Sequence, residues 1–337
     1  MNHQVTILGG GIIGSFLGNE LAKEGIDVAI VDQREEFGKK SCSGVVSKKV
    51  RDFVDVKSFR DNSLEKLKVN LPSSSFELNT ESLVLDREKL DPQIIRKAKG
   101  NGVKVFKETR AQDIDTEKGA RLRLSSKVLE SQLFVDCSGV ASFLANKKSL
   151  ESDKKTFASA LTRLDYKDEP KNSSEVFLDE KYSGNFFAWR IPRKGKVEYG
   201  VMTQNNAARS LDKFLKDMKR ERGEIITHPV QIGYQKSVHE RSLAVGESAC
   251  QVKPLSGGGI IYGLICSEIA KEAILKSLEV QNYSRNFLER KYERKWKEEI
   301  GKSIDLQMEF REALYSKDLE DLKLPETSID IDYDFLG

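Results

Sequence analysis

Apolar runs and amphipathic stretches alternate along the first third of the chain. Val5-Thr6-Ile7-Leu8 is short and uncharged, which predicts a buried parallel strand. A helical pattern follows, with Phe16, Leu17, Leu21 and Ala22 on one face. Val28-Ala29-Ile30-Val31 then predicts a second strand, ending on Asp32. Leu67–Leu71 and Ser75–Leu78 read as strands of a small sheet joined by a Pro/Ser turn, and Leu83–Leu85 as a further short strand. A helix is expected over Leu90–Lys99, stopped by Gly100 and Gly102. Val103–Phe106 reads as a strand returning to the main sheet, and Ala120–Leu124 with Val128–Val135 as a hairpin.

Near Phe157 the pattern changes to alternation. Ala158–Leu164, Phe186–Ile191 and Val197–Met202 predict an antiparallel sheet running to about Thr227, with turns at Ser183-Gly184 and Arg193-Lys194-Gly195. Leu211–Lys219 predicts a helix within it. Leu243-Ala244-Val245 is a strand, and a long apolar helix follows over Ile260–Leu275. The last segment, Tyr283–Gly337, is charged and helical, with Leu288, Tyr292, Trp296 and Ile300 at every fourth position. The expected organisation is an α/β domain from 1–60, 84–150 and 235–280. An inserted antiparallel-sheet domain would comprise 61–83 and 151–234, and a helical segment 281–337.

The turn after the first strand is Gly9-Gly10-Gly11-Ile12-Ile13-Gly14. Strand, glycine turn, helix, strand and acid together form a dinucleotide-binding fingerprint. Gly9 permits the tight turn, Gly11 the approach of a pyrophosphate, and Gly14 close packing of helix on strand. The helix N-terminus offers free N–H groups to phosphates, and Asp32 can accept hydrogen bonds from ribose hydroxyls. A second glycine-rich helix start, Gly257-Gly258-Gly259 before Ile260, points to one ligand long enough to touch both. The small-residue stretch Ser41–Ser47 suits backbone lying against a flat ligand, or an ordinary loop with a helix cap at Ser41 or Ser43.

Composition narrows the classes. Lys plus Arg is 56 against Asp plus Glu 53, so charge gives no argument for nucleic acid. Cys42, Cys137, Cys250 and Cys266 form no CxxC pair, hence no zinc pattern or disulfide framework, and a reducing cytoplasm is expected. The chain runs at once into a core strand, which argues against a signal peptide. Its longest apolar stretch, Gly257–Cys266, is too short to span a bilayer. The basic residues around the last helix read most simply as a solvated face. The sharper reading rests that face on anionic lipid at the inner membrane surface.

Taken together the motifs resemble the geranylgeranyl reductase family of FAD-dependent enzymes, near the archaeal digeranylgeranylglycerophospholipid reductases. The matching pieces run from Gly9 to about Tyr333. They include the fingerprint, Cys42-Ser43-Gly44-Val45, Leu85-Asp86-Arg87, and Phe187-Ala188-Trp189-Arg190-Ile191-Pro192, similar to the family's aromatic-x-Trp-x-Phe-Pro motif. The most specific is Gly246–Gly263. The resemblance implies a Rossmann-type FAD domain of the para-hydroxybenzoate-hydroxylase type. By it, Ile13, Asp32, Arg87 and Ala111 match positions at the ADP half or pyrophosphate, and Cys42, Ser43 and Val45 the loop beside the flavin. Glu247 matches the acid near the ribityl chain and pyrophosphate, Gly259 and Ile260 the backbone at the isoalloxazine ring, with Gly258 beside them as a further cofactor-binding residue, and Phe187 and Trp189 the substrate cavity wall. Three positions depart from the family: Glu247 and Ser138 stand where it has Asp, and Ile191 where it has Phe.

The implied activity is reduction of double bonds in isoprenoid chains, such as those of archaeal ether lipids. Hydride from reduced flavin would add to one alkene carbon and a proton to the other. Cys42 and Tyr262 are the candidate proton donors by position. A prenylated lipid substrate and an electron donor such as NAD(P)H or a ferredoxin follow as partners. Two alternatives stand beside this reading: a flavin-dependent monooxygenase or halogenase, and a non-catalytic FAD protein acting as a redox or assembly partner.

Overall fold

The computed structural model describes residues 2–38, 42–166 and 172–316. Its elements run β1 Asn2–Leu8, α1 Ile12–Lys23, β2 Val28–Val31, β3 Val45–Ser47, β4 Arg60–Asn70, β5 Ser75–Leu85, α2 Arg87–Gly100, β6 Lys104–Phe106, β7 Ala111–Asp115, β8 Ala120–Leu124 and β9 Val128–Asp136. They continue α3 Phe143–Lys148, β10 Ser152–Asp165, β11 Ser173–Phe177, α4 Glu180–Ser183, β12 Ala188–Arg193, β13 Lys196–Thr203, α5 Ala207–Asp217, β14 Ile226–Gln235, β15 Val238–His239, β16 Ser242–Ala244 and α6 Ile260–Val280. The described chain ends in one helical run, 285–316, of α7 Arg285–Leu288, α8 Arg294–Trp296 and α9 Lys302–Ser316 with π-helical turns between.

Two sheets result. The first has the order β15-β16-β9-β1-β2-β6 and carries the β7–β8 hairpin on β9. Its central pairs, β9·β1, β1·β2, β2·β6 and β16·β9, are parallel. Such strands need cover on both faces, and the residues alternate accordingly. Ile7, Ile30 and Val135 pack towards α1, α6 and the C-terminal helices. Leu8, Val31 and Phe134 pack towards the β7–β8 hairpin and α3.

The second sheet has the order β14-β10-β13-β12-β11-β4-β5-β3. All its pairs are antiparallel except β11·β4, so it is mixed rather than purely antiparallel. One face packs on α4 and α5 through Val197, Tyr199 and Phe214. The other face, with Phe157, Trp189 and Met202, meets Val252 beyond the first sheet.

Several sequence expectations shift. Leu83–Leu85 is not a separate strand but the end of β5. Helix α2 begins before Leu90 because the Asp86 side chain caps it at the Lys89 amide. No helix starts at Ser43: the chain enters β3, and the capping reading of Ser41 falls outside the described residues. Tyr333 and the end of the C-terminal segment also lie outside them. The pattern does not mark strands β3, β7, β11, β14 and β15. β14 contains Pro229, which cannot donate to a ladder, and it sits at the sheet edge where that is tolerated.

The four-residue period of the last segment has a structural counterpart. Leu288, Tyr292, Trp296 and Ile300 are all buried. On an α-helix each four-residue step drifts by roughly 40°. The π turns at Glu289–Glu293 and Lys297–Gly301 hold more residues per turn and keep the stripe on the core.

Candidate active site

The glycine turn is built by contacts only glycine allows. Gly9 has φ +107°, and a Cβ there would lie 2.2 Å from the Cys137 carbonyl oxygen. A Cβ at Gly14 would lie 2.0 Å from the Gly9 oxygen. Gly9 and Gly14 therefore shape the turn, while Gly11, Ile12 and Ile13 face the main cavity. No side chain caps α1, so its first N–H groups are left for a ligand.

Asp32 is engaged within the protein. Its carboxylate accepts from the Gly10 amide at 2.7 Å and from Arg34 Nη2 at 2.6 Å, Nε at 2.9 Å and backbone N–H at 2.8 Å. Burial alone would raise this carboxyl, but the Arg34 bonds and charge outweigh burial and hold it below its ordinary value. Ala111 opens β7, two residues after Thr109, whose N–H bonds to the Asp32 carbonyl at 3.0 Å. Neither Asp32 nor Ala111 lines the cavity.

Arg87 does line it. Buried, it pairs with Asp91 through Nε at 2.6 Å and Nη2 at 2.7 Å, and its Nη1 lies 3.6 Å from Cys42 Sγ. Burial opposes its charge, and the Asp91 carboxylate outweighs that and raises its pKa. The Cys42 sulfur also accepts from the Gly44 amide at 3.4 Å. Gly44, at φ +71°, lets this loop close on β5: a Cβ there would meet the Leu85 oxygen at 2.5 Å. Cys42, Ser43 and Val45 all form cavity wall.

The second glycine run lies on the same cavity. Gly257, Gly258, Gly259 and Ile260 line it, and α6 also starts without a capping side chain. Glu247 joins the wall opposite His228, which the sequence reading missed; Oε2 and Nε2 are 3.8 Å apart. Tyr262 does not join it. Its hydroxyl is bonded to Ser303 Oγ at 2.7 Å and Gln307 Nε2 at 3.0 Å, towards the C-terminal helices. Tyr262 thus faces the C-terminal helices and not the cavity, because helical rotation turns it away from the face of Ile260 and Ile261.

The cavity encloses about 750 Å³. Away from the glycine runs and the polar groups named above, its wall is mostly apolar, with Trp189, Met202, Val176 and Leu67 from the second sheet and Phe187 just before β12. Phe187 and Trp189 stand edge to face at 5.9 Å. On its far side are Leu306 and Phe310 of α9, which remain 55% and 49% exposed. Two uncapped helix starts and a wall of small residues on one cavity fit an FAD molecule spanning them.

A profile of the tryptophan halogenase family matches residues 49–322. The chain belongs to the tryptophan halogenase family. An uncharacterized protein of Methanocaldococcus jannaschii is 28% identical to it, over 90% of this chain and 82% of that protein. Digeranylgeranylglycerophospholipid reductase 2 of Methanothermobacter thermautotrophicus is 25% identical, over 93% of this chain and 88% of the relative. The crystal structure of a geranylgeranyl bacteriochlorophyll reductase-like protein from Thermoplasma acidophilum superposes with a TM-score of 0.86 at 20% identity. It covers 95% of this chain and 89% of its own. This member of the tryptophan halogenase family thus bears out its resemblance to the geranylgeranyl reductases over most of its length. Among the described residues no helix is long and apolar enough to cross a membrane.

Proposed function

We propose that the protein is an FAD-dependent reductase that saturates double bonds of geranylgeranyl chains, on a flavoprotein fold of the para-hydroxybenzoate-hydroxylase type. The observation that carries this reading is the union, in one cavity, of two uncapped helix starts with a long apolar wall. The name of the archaeal relative supports the choice of substrate.

In this reading Gly11 and Ile13 hold the pyrophosphate at the α1 start, as the turn built by Gly9 and Gly14 directs. Arg87 offers its remaining N–H groups to the cofactor. Ala111 flanks the adenosine. Asp32 already has four donors on its two oxygens, so it accepts ribose hydroxyls only as Arg34 swings off. Cys42, Ser43 and Val45 lie along the flavin, Glu247 accepts from the ribityl chain, and Gly258, Gly259 and Ile260 approach the ring. Phe187 and Trp189 hold the prenyl chain.

Bound and reduced, FAD supplies a hydride. An isolated alkene accepts hydride poorly, so its other carbon must receive a proton in a water-poor site. Cys42 is the donor in this proposal, with its sulfur held by Arg87 and the Gly44 amide. NAD(P)H, a ferredoxin or a similar donor restores the electrons. Peripheral contact with anionic lipid rests on exposed Arg290, Arg294 and Lys295. Lys297 is committed to Glu293 at 2.8 Å and Tyr234 at 3.1 Å.

The family profile favours, as a second reading, a flavin-dependent halogenase or monooxygenase. Mass spectrometry of lipids from a host that makes geranylgeranyl lipids and expresses this protein separates the readings. Gains of paired hydrogens are expected. Gains of oxygen or halogen would replace the reductase reading, and unchanged lipids with FAD bound would favour a non-catalytic FAD protein.

A further inference from the structure

Glu198 sits on β13 with no exposed surface. A buried carboxylate is stable only with its oxygens paired. Here Oε1 accepts from Trp189 Nε1 at 3.0 Å, and Oε2 from Arg163 Nε at 3.0 Å and Arg193 Nη1 at 3.2 Å. Strand register makes this possible. Arg163 on β10 is directly opposite Glu198, and Trp189 on β12 is directly opposite Gly200. Gly200 is two residues from Glu198, hence on the same face of β13, and its missing side chain leaves room for the indole.

The far ends of both guanidiniums reach the loop beside the proposed flavin position. Arg163 Nη2 donates to the Cys42 carbonyl at 3.2 Å. Arg193 Nη1 donates to the Ser43 carbonyl at 2.6 Å, and Nη2 to the Leu85 carbonyl at 3.1 Å. Asp61 and Glu88 balance the two cations on the outer side, at 2.8 Å and 3.2 Å. One carboxylate therefore joins the ring in the substrate wall to the backbone that carries Cys42.

We propose that Glu198 is a positioning residue that couples Trp189 in the substrate wall to the Cys42-Ser43 loop. The proposal rests on the flavin-reductase reading for the roles of wall and loop. Buried ion networks are often no more stabilising than apolar packing of equal volume. What this network adds is a fixed geometry: displacement of the indole by a chain in the cavity is transmitted to the Cys42 carbonyl through Arg163.

The test uses the FAD-loaded protein and two variants, Glu198→Gln and Trp189→Phe. The second removes the indole N–H that bonds Glu198, together with the rest of the five-membered ring, and leaves a smaller aromatic ring in the wall. Two readouts are independent of lipid turnover: the iodoacetamide alkylation rate of Cys42, measured on its peptide by mass spectrometry, and the visible absorbance of the bound flavin. Both variants are expected to retain FAD, to change Cys42 alkylation at least threefold and to shift the flavin bands, with the smaller change in Trp189→Phe. Unchanged alkylation and spectra in Trp189→Phe would overturn the proposal, whether or not Glu198→Gln folds. If the protein reduces no prenyl lipid, the reductase reading fails while these readouts still decide the coupling.

Discussion

Replacing Gly200 with alanine puts a methyl group where the Trp189 indole lies. The new Cβ would stand 2.1 Å from Cζ2 and 2.2 Å from Cε2 of that ring. These are atoms of a buried ring, with no flexible end to yield. Overpacking costs about 1–3 kcal/mol. Displacing the indole also breaks its bond to the Glu198 carboxylate, a further ~1.5–3 kcal/mol for a bond to a charged group. The expected loss is roughly 3–5 kcal/mol, or about 4–7 °C in Tm for a chain of this size. Glycine to alanine in an open strand would instead gain ~0.5–1 kcal/mol, so even the sign is informative. The displaced ring intrudes on the cavity, so prenyl turnover should fall while FAD stays bound. Gly100→Ala, at the end of helix α2 with nothing within 4 Å of the added atom, serves as the control and should hold or slightly raise the Tm and leave turnover unchanged. Differential scanning calorimetry of the FAD-loaded protein gives the Tm, and lipid turnover is measured beside it. A Gly200→Ala Tm equal to or above that of the parent would refute the seating of the indole on β13.

Three further outcomes are expected. Cys42→Ala should bind FAD and reduce prenyl lipid far more slowly than Cys42→Ser under anoxic conditions with pre-reduced flavin; equal rates would pass the proton to Cys137, whose thiol also lines the cavity and is kept protonated by burial and the neighbouring Asp136. Tyr262→Phe should leave turnover intact but lower stability by about 1–3 kcal/mol in denaturant melts, because Ser303 and Gln307 lose a buried partner. The depressed pKa of Asp32 means that its contribution to stability is complete above about pH 4 and is lost as pH falls through its lower folded value; acid titrations of the cofactor-free protein should show a shallower loss in Asp32→Asn.

The parts legible in the sequence were those where chemistry leaves one choice. Gly9 and Gly14 must be glycine because backbone oxygens occupy the space of a Cβ, so the fingerprint could be read without a structure. The apolar runs of β1 and β2 announced strands covered on both faces. Glu198 was hidden by the opposite logic. Val197, Tyr199 and Val201 alternate with Glu198 and Gly200, which reads as a strand with one polar, solvated face. Both faces of β13 are in fact covered, one by α5 and one by the cavity, and long-range arginines pair the carboxylate. Adjacency to a glycine-rich helix start says nothing of which way a helical position turns, so the sequence does not show that Tyr262 faces Ser303 and Gln307. Pro229 and Gly233 interrupted the alternation of β14, and π turns accounted for the four-residue stripe that an α-helix cannot keep aligned.

The central claim is that one cavity brings a reduced flavin and a prenyl chain together. Its most direct test is a single turnover without oxygen. The FAD-loaded protein is reduced, freed of excess reductant and mixed with a geranylgeranyl lipid, while flavin absorbance and lipid mass are followed together. The account predicts return of the oxidised flavin bands at the rate at which the lipid gains a pair of hydrogens, one pair per flavin. A flavin that stays reduced in the presence of the lipid, and reoxidises only when oxygen is admitted, would contradict it.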